Sequence, residues 1–136
     1  MLLTNSISEL KHVNDLSGLT RICELMADEY RQLNGKTNRS NHAQFFTPSE
    51  VAEFMASLLP ISNSSLNILE PGAGFGILSV SLLDKLSKNS HVNDINLTTY
   101  EVDSKIHRHL ELVLEKARLL LMGKNVMMGI APFMVV

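Results

Sequence analysis

The chain has no tryptophan and a single cysteine, and its 136 residues include only two tyrosines and five phenylalanines. Cys23 therefore has no partner for an internal disulfide, which implies a reducing compartment. Its neighbours Leu25 and Met26 mark it as a buried or half-buried thiol on a helix. No apolar run approaches the ~20 residues that cross a bilayer, and Met1-Leu2-Leu3 gives way at once to Thr4, Asn5 and Ser6. A membrane span and a secretory leader are thus not expected, and the protein reads as cytoplasmic. Neither sign of charge dominates: 12 Lys and Arg stand against 14 Asp and Glu, for a net charge of -2. With no overall basic footprint, any nucleic-acid contact has to come from a local patch or from other protein. The histidines at 12, 42, 91, 107 and 109 lack the spacing to acids or thiols that a metal site needs, so no metal is expected. No internal repeat or low-complexity tract is present.

What is there suits one globular domain, with 45% hydrophobic and 19% charged residues. Between Ser6 and Leu33 the apolar positions Leu16, Leu19, Ile22, Cys23, Met26 and Tyr30 recur every three or four residues, which predicts one helix with a break near Ser17-Gly18. The polar, aperiodic stretch Asn34 to His42 reads as a loop, so residues 1–40 form an N-terminal helical arm and linker. Thr47-Pro48-Ser49-Glu50 is a helix start: Thr47 caps, Pro48 takes the first helical position and Glu50 closes a capping box. Phe46 and Val51 are spaced as a hydrophobic staple. Val51, Phe54, Met55, Leu58 and Leu59 then form an apolar stripe expected to pack on the rest of the protein.

Leu66 to Leu69 predicts a short buried strand, followed by glycines at 72, 74 and 76 and a mostly buried helix carrying Ile77, Val80, Leu83 and Leu86. Ile95 to Tyr100 alternates as a second strand. Asp103 then caps a long helix carrying Ile106, Leu110, Val113, Leu114, Ala117 and Leu121. This βαβα run predicts an α/β fold with a parallel sheet. Lys105, His107, Arg108, His109 and Arg118 give its last helix a mildly basic face, read as solvated. Asn125 to Val136 holds no charged residue and shows no recognisable element.

The chemistry concentrates at Asn67 to Gly76. Glycines let the backbone turn sharply after the strand and approach a ligand closely. A dinucleotide fingerprint starting at Gly72 needs glycine at 77, where isoleucine stands, and no Gly-Lys-Ser/Thr completes a phosphate loop. Glu70 at the mouth of the turn repels pyrophosphate but welcomes an amino group or a sulfonium. Further on, Tyr100-Glu101-Val102-Asp103 places an acid at the carboxyl end of the second strand, where open α/β sheets bind ligands. Glu101 is positioned to accept from two ribose hydroxyls, whereas Asp103 is accounted for by capping alone.

Gln44-Phe45-Phe46-Thr47-Pro48-Ser49-Glu50-Val51, Ile68-Leu69-Glu70-Pro71-Gly72-Ala73-Gly74-Phe75-Gly76 and Tyr100-Glu101-Val102-Asp103 follow one another in an order that resembles the N-terminal part of the N-6 adenine-specific DNA methyltransferases of restriction-modification systems. The resemblance spans about Asn41 to Lys124. It implies an incomplete Rossmann-like methyltransferase fold with S-adenosyl-L-methionine as cofactor. By the same resemblance Phe46 and Thr47 lie over the methionine end, Glu70 near the amino-acid portion, and the backbone of Pro71, Gly72, Ala73, Gly74 and Gly76 beneath the cofactor. Glu101 is assigned to the ribose and Val102 to the adenine face. DNA is the partner implied for a complete enzyme, with adenine extruded from the duplex.

The family holds the target amine with an Asn/Asp-Pro-Pro-Phe/Tyr motif, and this sequence has none. Ala131-Pro132-Phe133 matches only its last two positions and follows the second helix too early, so it reads as coincidence and no catalytic residue is assigned. The expectation is a cofactor domain over residues 41–124 without its catalytic half, inactive alone, with 125–136 an apolar tail that fits a sequence out of frame. Alternatives are one subunit of a split methyltransferase completed by another methyltransferase or restriction subunit, a non-catalytic binding or interaction module, and transfer to RNA or a small molecule.

Overall fold

A computed structural model describes residues 2–42 and 45–131, with the side chains of 35–42 left aside. In chain order the elements are α1 (Thr4–Leu10), α2 (Ser17–His42), α3 (Ser49–Ser57), β1 (Ser65–Pro71), α4 (Ile77–Ser87), β2 (Asp94–Tyr100), α5 (Ser104–Met122) and β3 (Met127–Ile130). The sheet is parallel throughout, in the order β1-β2-β3. Two crossovers stepping the same way carry α4 and α5 to one side of it. Leu66, Ile68 and Glu70 of β1 are in register with Ile95, Leu97 and Thr99 of β2, and Met128 and Ile130 of β3 continue that row toward the core. The buried cluster joins Ile95, Leu97 and Met128 to Val80, Leu83, Ile106, Leu110, Leu114 and Leu121, and to Leu16, Leu19 and Met26 of the arm.

Among the described residues nothing covers the opposite face of the sheet: Leu69 and Met127 are exposed, and Asn96 donates to Asn67 across it at 3.2 Å. Parallel sheets ordinarily have both faces covered. β1 is therefore an edge strand with one wet face rather than the buried strand its apolar run predicts.

Other expectations are corrected as well. The arm is two helices, with the break at residues 11–16 ahead of Ser17, where the Asp15 carboxylate accepts from Leu16 N and Ser17 Oγ. α2 then continues through Asn34–His42, which its polarity marks as a loop. Lost apolar periodicity reports that a helix has nothing to bury, not that its backbone hydrogen bonds stop. At α3 the N-cap is Pro48, with no side-chain hydrogen bond from Thr47. The apolar stripe of α3 also faces outward, with Phe54 62% and Leu58 64% exposed, because the helix packs on α4 through its small residues Ala52 and Ala56. Lys85 of α4 holds the far end of α3, donating to the carbonyls of Ala56, Ser57 and Leu59.

Beyond Asn125 the chain forms β3, which the sequence reading leaves without an element. Asn125 takes φ 62°, and Val126 and Met128 are buried. Strand residues here number four, too few for alternation to be legible. Pro132 and Phe133 lie outside the described residues. His109, read as part of a solvated basic face, is instead fully buried: its Nε2 accepts from Leu3 N at 3.1 Å and its Nδ1 meets Lys105 O at 3.2 Å. Arg108 and Arg118 do face solvent, paired with Glu111 and Glu115. Asp103 caps α5 as its sequence position predicts, accepting from Lys105 N at 3.0 Å. Among the described residues no helix is long and apolar enough to cross a membrane.

Candidate cofactor site

β1 and β2 end side by side, so Glu70-Pro71 and Tyr100-Glu101 emerge together at the carboxyl edge of the sheet. The chain leaves β1 through three left-handed glycines, Gly72, Gly74 and Gly76, and enters α4 at Ile77. Ala73 N donates to Tyr100 O at 2.8 Å, and Gly76 N to Ala73 O at 2.9 Å, which locks the turn against the end of β2. Gly74 N donates to Glu101 Oε2 at 2.7 Å. Glu101 Oε1 accepts from Asp103 N at 3.0 Å, so the carboxylate bridges the glycine turn and the start of α5. Each oxygen of an ionised carboxylate has two lone pairs, and one on each is left for a hydroxyl.

Glu70 lies behind the turn, 8% exposed, and Ser79 of α4 donates its hydroxyl to Glu70 Oε2. Burial pushes the Glu70 carboxyl up to about 7; the bond from Ser79 opposes this and the charge of Glu101 adds to it. Cys23 is equally buried, its thiol donating to Phe75 O at 3.2 Å, and burial raises its pKa far above the ordinary thiol range. It is inert packing, not a nucleophile.

Phe46 forms the roof. Its ring lies 5.3 Å from that of Phe75 and edge-on to Tyr30 at 5.9 Å, with the Arg31 guanidinium 5.4 Å from its centre. A Cβ on Gly74 would touch Phe46 at 3.6 Å. The partly open space between roof and turn is about 50 Å³, lined by Phe46, Thr47, Glu70, Gly72, Ala73 and Gly74 among others. A second, open groove of about 340 Å³ adjoins it, running between α3, β1 and α4 past Met55, Leu59, Leu69 and Pro71. Glu70 and Leu78 line both.

Six of the residues singled out from sequence thus surround one space, and Glu101 joins them through Gly74. Pro71 faces the neighbouring groove. Val102 lies on the rim, 56% exposed, and Gly76 serves packing against α5 rather than the cleft. Sequence reasoning misses Tyr30, Phe75 and Ser79. Tyr30 reads as one more apolar position of a helical stripe, and nothing in a linear pattern signals that Ser79, nine residues on from Glu70, turns back toward it.

The family model described as N-6 DNA Methylase matches residues 19–123. The chain is 39% identical over 77 residues to "Type II methyltransferase M.BsuBI" of Bacillus subtilis, which covers 54% of this chain and 15% of that protein. It is 32% identical over 78 residues to "Type II methyltransferase M.AccI" of Acinetobacter calcoaceticus, covering 57% of this chain and 13% of that protein. The matched part is therefore about one seventh of the length of these curated relatives. No solved structure matches the chain. Matched by this family model over most of its length, the chain, with its acid and glycine turn between β1 and α4, belongs to the N-6 DNA methylases.

Proposed function

We propose that this chain is the S-adenosyl-L-methionine-binding part of a site-specific, adenine-directed DNA methyltransferase, with a Rossmann-like sheet opened by β1, β2 and β3. The observation that carries the reading is the Glu101 carboxylate, held between Gly74 N and Asp103 N at the carboxyl end of the sheet with acceptor capacity to spare. Two neighbouring hydroxyls on a ribose match that capacity. The Glu70 carboxylate, once ionised, meets a cationic amino group or sulfonium, and the exposed Val102 offers an apolar surface to an adenine ring.

The donor set fits this cofactor, while the space does not yet accommodate it whole. Pockets for ligands of this size run to about 300 Å³ or more, against about 50 Å³ under Phe46. Phe46 and Thr47 border that space, and Phe46 covers the methionine end and excludes water from it. When bound, the cofactor supplies an electrophilic methyl group; this chain's residues orient it and keep it dry. The residues that hold the target amine belong to an Asn/Asp-Pro-Pro-Phe/Tyr motif absent from these 136 residues. Transfer to DNA accordingly needs a further polypeptide segment carrying it, and the setting is the cytoplasm, beside the DNA.

Calorimetric titration with S-adenosyl-L-methionine tests the reading. Binding is expected in the wild type and lost in Glu101→Ala; equal binding by both would refute the assignment. Labelled-methyl incorporation into DNA by this chain alone would sink the claim that it lacks the acceptor-holding half.

A further inference from the structure

The arm ahead of the methyltransferase motifs reaches the cofactor site directly. Tyr30 of α2 is 2% exposed, and its hydroxyl donates to Asp103 Oδ2. The other oxygen of Asp103 caps α5 through Lys105 N, while Asp103 N donates to Glu101 Oε1 and Glu101 Oε2 accepts from Gly74 N. Four residues from three separate parts of the chain thus form one buried line: Tyr30, Asp103, Glu101, Gly74. The ring of Tyr30 also stands edge-on to both Phe46 and Phe75, at 5.9 Å from each. Phe46 roofs the cleft, and Phe75 sits within its glycine turn.

From this geometry we propose that Tyr30 is a positioning residue of the donor site, fixing the Glu101 carboxylate through Asp103 and the roof through its ring. The inference rests on the reading of Glu101 as the ribose acceptor. Removing the Tyr30 hydroxyl deletes a buried bond to the Asp103 carboxylate, which ties the start of α5 to the arm. The Asp103 backbone, no longer tied to α2 through that bond, then shifts. Glu101 Oε1, bonded to that backbone, shifts with it. A carboxylate displaced from its bridge meets two ribose hydroxyls poorly, while the methionine end of the cofactor is held elsewhere and is little affected.

The test is Tyr30→Phe, which keeps the ring and removes the bond, with circular dichroism to verify folding and Asp103→Asn as a second variant that keeps a capping oxygen. Affinity is measured for S-adenosyl-L-homocysteine and for its analogue lacking both ribose hydroxyls. Tyr30→Phe is expected to weaken the first about fivefold or more, the cost of a hydrogen bond to a charged group, and the second less than about twofold. The Gly74 amide proton resonance, read without ligand, should move upfield as its carboxylate acceptor withdraws. Equal weakening for both ligands, or an unmoved Gly74 signal, overturns the proposal, since general loosening would act alike on both. If Glu101→Ala weakens binding and Tyr30→Phe does not, the positioning role alone fails. If Glu101→Ala binds as the wild type does, the donor-site reading fails and the role falls with it.

Discussion

Gly76 and Leu110 are packed so closely that a Cβ on the glycine would lie 2.9 Å from Cδ1 of the leucine. Gly76 also holds φ 93°, a conformation L side chains rarely adopt, so two separate reasons require glycine where the turn enters α4. Gly72, at φ 68°, has only the second reason, with nothing within 4 Å of its Cβ position.

Gly76→Ala should therefore destabilise the fold by about 2–4 kcal/mol, combining left-handed strain with overpacking, and Gly72→Ala by about 1 kcal/mol. Urea unfolding of the two variants checks this. Equal losses would mean that contact with α5 does not matter.

Donor binding should depend on pH through Glu70. Its carboxyl, raised by burial to about 7, is largely protonated at pH 6 and ionised at pH 8. A cationic ligand end favours the ionised form, so affinity should rise about tenfold between those values. Glu70→Gln should bind more weakly with a flat profile. For stability the sign is opposite: a carboxyl whose folded pKa is raised contributes stability fully present below its unfolded value, lost as pH rises through about 7. Glu70→Gln should thus be more stable than the wild type at pH 8, by about 1–3 kcal/mol.

His109 titrates the other way. Burial lowers its pKa below the ordinary histidine value, and Leu3 N needs an unprotonated Nε2 to donate to. A histidine depressed in the folded state contributes stability present above its unfolded pKa and lost as pH falls through the folded one. In a Glu70→Gln background, which removes the opposing titration, the melting temperature should drop as pH is lowered from 7 to 5. Replacing His109 by Gln should flatten that drop, and an unchanged slope would exclude His109 as its source.

The outward stripe of α3 and the open edge of β1 predict association at high protein concentration. Substituting Phe54 and Leu58 by Ser, both on the exposed stripe, should reduce binding of a hydrophobic dye and shift sedimentation toward monomer, with stability changed by less than about 0.5 kcal/mol. A loss of cooperative unfolding instead would show that these side chains pack within the domain.

Legibility in the sequence followed the range of the interaction. Asp103 reads correctly as a cap because its partner, Lys105 N, is two residues away. β2 is legible because Ile95, Leu97 and Thr99 alternate against one covered face. The α3 stripe misleads because apolar spacing tells which side of a helix is greasy and not what lies opposite. β3 escapes notice because four residues carry too little pattern, and its place is decided by pairing with β2.

From residues alone came the run of elements from α3 to α5, the glycine turn behind an acid, the acid ending β2 and the family these imply, all of which are short-range patterns that backbone chemistry imposes locally. Only the tertiary structure decided that β1 is an edge and that one sheet face is bare among the described residues, that Glu101 bridges Gly74 and Asp103, and that Tyr30 reaches the site from an arm 73 residues before Asp103. Those outcomes depend on which distant surfaces meet, and burial, not sequence spacing, sets their energies.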